Sequence, residues 1–162
     1  MLFEFDDDDF VPIRRCSLAW RWTSPTHAEL PADDLKQIQA IAGAKAATLN
    51  DFVVDRWPRL GVNPAYPLDL RRLHTEDEDE VAVRAWLLAL PIDTNSTVIV
   101  SWDWSTAVVA PFALVAEYWS DFFYPASDDA AVIPRDVAWM LVWNHEEVFE
   151  FGSAQFEPDR TL

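Results

Sequence analysis

The apolar periodicity of this chain predicts a single α+β domain over residues 1–162, an antiparallel sheet with helices packed mainly on one face. Three observations carry that expectation. From Thr97 to Trp104, and again from Ala138 to Phe151, side chains alternate with the two-residue period of a strand. Elsewhere the apolar spacing lengthens to three and four residues, the period of amphipathic helices. The resulting order, β-α-α-α-β-α-β-β, is that of an α+β fold. The 162 residues are 51% apolar and 14% aromatic, enough for one real core and incompatible with a disordered acidic tail.

Residues 1–10 open the chain as an acidic N-terminus, in which Asp6 to Asp9 reads as a solvated turn or frayed end because four adjacent carboxylates repel one another. Cys16 to Thr23 is the first strand candidate. Its Leu18, Trp20 and Trp22 fall on one face and Arg21 on the other, and Ser24-Pro25 ends it. From Pro31, Leu35, Ile38 and Ile41 or Ala42 mark a short helix that Gly43 interrupts. The next helix puts Leu49, Phe52, Val53 and Trp57 on one side and stops before Pro58. Pro58 to Leu70, with Asn63-Pro64 and Pro67, is a connecting loop.

Thr75-Glu76-Asp77-Glu78 is a capping-box signature. It places Glu76 to Glu80 in the first turn of a helix, where carboxylates meet the positive end of the dipole. Val83, Trp86, Leu87 and Leu90 form the buried stripe, and Pro91 closes it. Thr97 to Trp104 is a central strand, with Val98, Val100, Trp102 and Trp104 on one face and Ile99, Ser101 and Asp103 on the other. Pro111 suits the first position of a helix whose stripe is Phe112, Val115, Trp119 and Phe122. Tyr124-Pro125 ends that helix, and Ser127-Asp128-Asp129 makes a turn. Two strands, Ala138 to Asn144 and Val148 to Phe151, follow as a pair joined through His145-Glu146-Glu147, with Trp139, Leu141 and Trp143 pointing one way.

Charge narrows the function more than any motif does. Seventeen acidic residues oppose three arginines between His74 and Leu162, so that half carries −14 of the net −16, together with six of the nine tryptophans. Such a field steers cationic partners toward the surface that bears it. Nucleic acid is excluded as a partner, because phosphate contacts need clustered bases and the chain has two lysines. Gly43, Gly61 and Gly152 stand too far apart for a phosphate-cradling loop, and the single Cys16 permits neither an internal disulfide nor a thiolate zinc site. No cofactor is expected. The N-terminus lacks the positive start and apolar run of a secretory signal, and the longest apolar stretches are too short to span a bilayer, so the expected location is cytoplasmic, with no membrane partner.

Two constellations merit naming. Asp103, Asp128, His145 and Glu147 could hold a divalent ion for a small metal-dependent hydrolase, but turn composition alone explains these residues and no metalloenzyme signature accompanies them. The other is a docking set: the acids Asp77, Glu78, Asp79, Glu80, Asp128, Asp129, Glu146 and Glu147, with aromatic anchors inside a charged rim drawn from Trp104, Tyr118, Phe123 and Tyr124, of which Trp104 and Tyr124 are preferred. Of Trp102, Trp104, Trp119, Trp139 and Trp143, which sit at periodic positions, core packing accounts for all but one.

The stretches Val98-Ile-Val-Ser-Trp-Asp103, Tyr118-Trp-Ser-Asp-Phe-Phe-Tyr-Pro-Ala-Ser-Asp-Asp129 and Trp143-Asn-His-Glu-Glu-Val-Phe-Glu-Phe-Gly152 resemble a bacterial group of small acidic proteins. These belong to toxin–immunity loci, including contact-dependent growth inhibition. The resemblance implies a cytosolic inhibitor, not an enzyme, that binds one cognate basic toxin domain, often a nuclease, and acts by occlusion. A nucleic-acid mimic aimed at a DNA-binding protein shares the same charge logic.

Overall fold

The computed structural model describes residues 3–56 and 67–154. Eight strands form one wholly antiparallel sheet: β1 (Phe10–Val11), β2 (Gln39–Ile41), β3 (Pro67–His74), β4 (Thr97–Asp103), β5 (Thr106–Pro111), β6 (Ala130–Pro134), β7 (Trp139–Asn144) and β8 (Val148–Ala154). Their spatial order is β1-β2-β5-β4-β6-β7-β8-β3. Six α-helices surround it: α1 (Trp20–Thr23), α2 (Ala32–Leu35), α3 (Gly43–Arg56), α4 (Glu80–Leu88), α5 (Phe112–Glu117) and α6 (Trp119–Phe122). The α+β expectation holds.

Both sheet faces are covered, unequally. Val98, Val100, Leu141, Trp143, Phe149 and Phe151 face a large core capped by Trp22 of α1, Val83 and Leu87 of α4, Phe112 and Val115 of α5, and Trp119 and Phe122 of α6. The opposite face sends Ile99, Val109, Ile133 and Met140 against Ala46, Leu49 and Phe52 of α3. Apolar contact on both faces explains why β5 and β6 escape a period-two search. Ala107-Val-Val-Ala110 and Ala130-Ala-Val-Ile133 are continuous apolar runs with no polar alternation to reveal them.

Several expectations are corrected. Cys16–Thr23 is not a strand: it winds through turns into α1, so Trp20 and Trp22 diverge, the first exposed and the second fully buried. Arg21 is turned inward, not toward solvent. The helix expected from Pro31 stops at Leu35, and Gln39–Ile41 becomes β2, bridging β1 and β5. Gly43 opens α3 rather than interrupting a helix. Pro67 to Leu70 belongs to β3; the rest of the expected loop, residues 58–66, and Trp57 lie outside the described residues. The helix expected through Phe122 is divided at Tyr118, whose φ of −106° and ψ of 32° leave the helical range. For Asp6 to Asp9 the solvated turn, of the two alternatives, is the one that forms. Asp6 caps a 3-10 turn over Asp7–Asp9, and the Phe3 N–H donates to the Arg135 carbonyl at 2.8 Å.

The cap of α4 also moves. Thr75 is buried and donates its hydroxyl to the Glu147 carbonyl, while Asp79 takes the cap by accepting from the Ala82 N–H at 2.7 Å. Glu76 to Asp79 therefore precede the helix as an exposed turn, and Glu80 alone lies in its first turn. Asp79→Ala should lower stability by ~1 kcal/mol in urea unfolding, while Thr75→Val should leave the helix cap itself intact.

Candidate functional site

In an antiparallel sheet alternate connections emerge at the same end, so strand register decides which loops become neighbours. Here Phe10 pairs Ile41, Ala40 pairs Val108, Ser101 pairs both Ala107 and Ala131, Ala130 pairs Trp143, and Asn144 and His74 both pair Val148. One end of the sheet consequently carries the entry to β1, the β4–β5 turn, the entry to β6, the β7–β8 turn and the exit from β3. In strand order these hold Asp6 to Asp9, then Asp103, then Asp129, then Glu146 and Glu147, then Glu76 to Asp79. Eight strands at a spacing of ~4.8 Å make this a band about 34 Å across. Among the described residues the other end mixes both signs: Arg14 and Arg15 follow β1, Asp33, Asp34 and Lys36 precede β2, the β6–β7 turn sets Arg135 beside Asp136, and the loop into β4 holds Asp93.

Local chemistry fixes the band to the scaffold. The Thr75 N–H and hydroxyl donate to the Glu147 carbonyl at 2.9 and 3.0 Å, joining the β7–β8 turn to the Glu76–Asp79 turn. Glu147 itself stands at a φ of 61°, in the left-handed region. Asp103 accepts from the Ser105 N–H at 2.7 Å, which tightens the β4–β5 turn and pushes Trp104 outward, 73% exposed near the middle of the band. At one flank Lys45 pairs Asp9 at 3.0 Å; the hydrogen bond from the Asp6 N–H, and after it the one from Lys45, hold that carboxyl below its ordinary range.

His145 is the other partial counter-charge. Its Nδ1 lies 2.9 Å from Asp129 Oδ1, an oxygen that also accepts the His145 N–H. The Asp129 hydrogen bond, then its charge, raises the imidazole pKa above 6.5. Folding thus favours the protonated ring. That contribution to stability is fully present below the unfolded imidazole value and is lost as pH rises through the raised folded value. An NMR titration of His145 should give a midpoint above 6.5 that falls in Asp129→Asn; identical midpoints in both proteins would contradict the pairing.

The structure thus brings together Asp77, Glu78, Asp79, Asp129, Glu146, Glu147 and Trp104 from the sequence-derived set, with Glu80 just inside α4. Asp128 does not join them. It is 8% exposed and turned inward, its Oδ2 and Oδ1 accepting from Arg21 Nη1 and Nη2 at 2.5 and 3.0 Å. Its charge is answered internally because Arg21, buried by the winding of α1, needs a partner. Phe123 is buried in the core, and Tyr118, half-buried, donates its hydroxyl to Asp34 at 2.6 Å, so neither is an exposed anchor; Tyr124 is half-buried, its ring 4.1 Å from the Arg21 guanidinium and edge-on to Trp20 at 5.6 Å. Trp102, Trp119, Trp139 and Trp143 pack into the core as expected. Two features escape sequence reasoning: Asp6–Asp9 shares this end of the sheet, and Trp20, with His27 at 4.4 Å, forms a second exposed aromatic surface. Only strand pairing reveals the first.

The alternative metal constellation is not assembled. Both Asp128 oxygens face Arg21, and His145 faces Asp129. Among the described residues no group of three or more His, Cys, Asp or Glu is placed to hold a metal ion. Also among them, no helix is long and apolar enough to cross a membrane. No protein-family model, curated protein or solved structure matches this chain.

Proposed function

We propose that this chain is an immunity-type inhibitor that occludes the basic cleft of a cognate toxin domain, a nuclease, by presenting its acidic sheet end. The observation that carries this reading is the convergence of acids from five separate chain segments on one end of a single sheet, with an exposed tryptophan among them. Self-repulsion in such a band opposes folding. A fold whose strand register nonetheless concentrates it is suited to a ligand that compensates the charge. An enzyme that cleaves nucleic acid presents a cationic cleft, and carboxylates on a rigid edge can stand where phosphates would lie, raising the association rate by ~10- to 1000-fold. Trp104 then supplies an aromatic anchor within a charged rim, and shape fit around it sets selectivity among related toxins.

The inhibitor acts in the cytoplasm and performs no reaction of its own. Co-expression with the product of the adjacent upstream gene tests this: growth should be rescued and the two proteins should co-purify. Unrelieved toxicity with both proteins soluble would overturn it. Calorimetric titration with magnesium, manganese and zinc should give no binding heat; saturable binding would favour the hydrolase reading instead.

A further inference from the structure

A surface helix ordinarily shows solvent a polar face. α4 does not. Its inward stripe is Val83 and Leu87, yet its outward side carries Val81, 67% exposed, Ala85, and Leu88, 45% exposed, followed by exposed Ala89. The helix holds two charged residues, Glu80 and Arg84. Arg84 is drawn aside onto Glu117, donating from Nε and Nη2 to its carbonyl at 3.2 and 3.0 Å and pairing its carboxylate at 3.2 Å. Val81 and Leu88 are two turns apart, ~10.5 Å along the axis, with the small Ala85 between them. That is the pattern of a helix covered on both sides, and here, among the described residues, the outer side is left exposed.

The face is continuous with the acidic band, because Glu76 to Asp79 lead directly into Glu80. We propose that the outer face of α4 is the apolar anchor of the docking surface, and that it takes a protein element presenting apolar side chains along one stripe with lysines or arginines beyond one end. This inference rests on the acidic end being a docking surface. Charge complementarity selects the occupant. A second copy would bring another chain of net −16 against the first, and antiparallel pairing of two α4 helices would set Glu76–Asp79 toward Asp93 of the other copy. A cationic amphipathic element meets both halves of the surface at once.

The test uses the full chain and two synthetic helical peptides of equal length and charge. One carries lysines with leucines at positions i, i+3, i+4 and i+7; the other replaces each leucine by serine. Wild type should bind the leucine peptide about tenfold more tightly, a difference of ~1.4 kcal/mol. Val81→Ser/Leu88→Ser should reduce that preference below about threefold while leaving the affinity for the serine peptide unchanged. Glu76→Gln/Asp77→Asn/Glu78→Gln should weaken both peptides together. Equal, salt-sensitive binding of both peptides, unaffected by the α4 substitutions, would overturn the α4 assignment and leave the acidic surface standing. Binding of neither peptide would overturn both. A dimer in sedimentation that Val81→Ser/Leu88→Ser disperses would make the occupant a second copy and also overturn the proposal. Both substituted positions are exposed, and near-ultraviolet circular dichroism verifies that the variant keeps its packed core.

Discussion

Replacing Asp128 by alanine should destabilise the protein by about 3–5 kcal/mol, because it leaves a buried guanidinium without its counter-charge. Arg21 is 4% exposed and its options are few. Besides Asp128 it donates to the Phe122 carbonyl at 3.2 Å and lies 4.1 Å from the Tyr124 ring, and its Nε is already without a hydrogen-bond partner. Asp128 also accepts from the Tyr124 N–H at 2.9 Å, so the truncation loosens the turn leading into β6. The pair ties α1, early in the chain, to the α6–β6 connection, across 107 residues of sequence. Urea unfolding of Asp128→Ala and of Arg21→Met/Asp128→Leu separates the terms. The single variant should show the full loss, and the double variant should recover most of it, since apolar replacement of both partners removes the stranded charge. Equal loss in both would mean that packing, not charge, sets the effect.

Phe149→Ala should cost a similar amount, about 3–5 kcal/mol. Phe149 is fully buried on β8 and sits at the centre of an aromatic cluster, with Trp143 at 4.7 Å, Phe123 at 5.3 Å, Trp119 at 6.1 Å and Trp86 at 6.2 Å between ring centroids. These rings come from four elements and one loop, so no single neighbour can move to fill the cavity without disturbing the others. Phe149→Leu, which retains most of the volume, should lose appreciably less. A Phe149→Ala loss below 1.5 kcal/mol in urea unfolding would mean that the cluster is plastic.

The sequence made the fold legible where side chains alternate between environments and hid it where they do not. β4 and β8 are visible because polar residues alternate with apolar ones, as in Ser101-Trp-Asp103 and Phe149-Glu-Phe151, and β7 because the large Trp139, Leu141 and Trp143 recur at every second position. β5 and β6 are not, because apolar contacts on both faces erase the alternation. Cys16 to Thr23 misleads for the converse reason: Leu18, Trp20 and Trp22 mimic a strand, yet the chain winds into α1 there and carries Arg21 inward onto Asp128. Four-residue elements such as α1 and α2 hold too few residues to show a helical period. For the site, the acids and Trp104 were readable as types, and most of them do converge. Their convergence with Asp6–Asp9 depends on β1 pairing β2 and β2 pairing β5, long-range register that no local window contains. The inward turn of Asp128 was equally invisible, since Ser127-Asp128-Asp129 has the composition of an ordinary exposed turn. The bare face of α4 was present in the sequence as Val81, Ala85 and Leu88, but a search for the buried stripe passes over an apolar outer one.

The central claim, that the acidic end of the sheet is the surface that meets a cationic protein, is tested most directly by association kinetics. Stopped-flow rates with a purified candidate toxin domain should be measured across ionic strength for wild type and for Glu76→Gln/Asp77→Asn/Glu78→Gln/Glu146→Gln. Wild-type association should be fast at low salt and fall steeply as salt screens the field, and the variant should be ~10- to 1000-fold slower at low salt with a flattened dependence. Rates that are insensitive to salt, or identical for the two proteins, would contradict the claim.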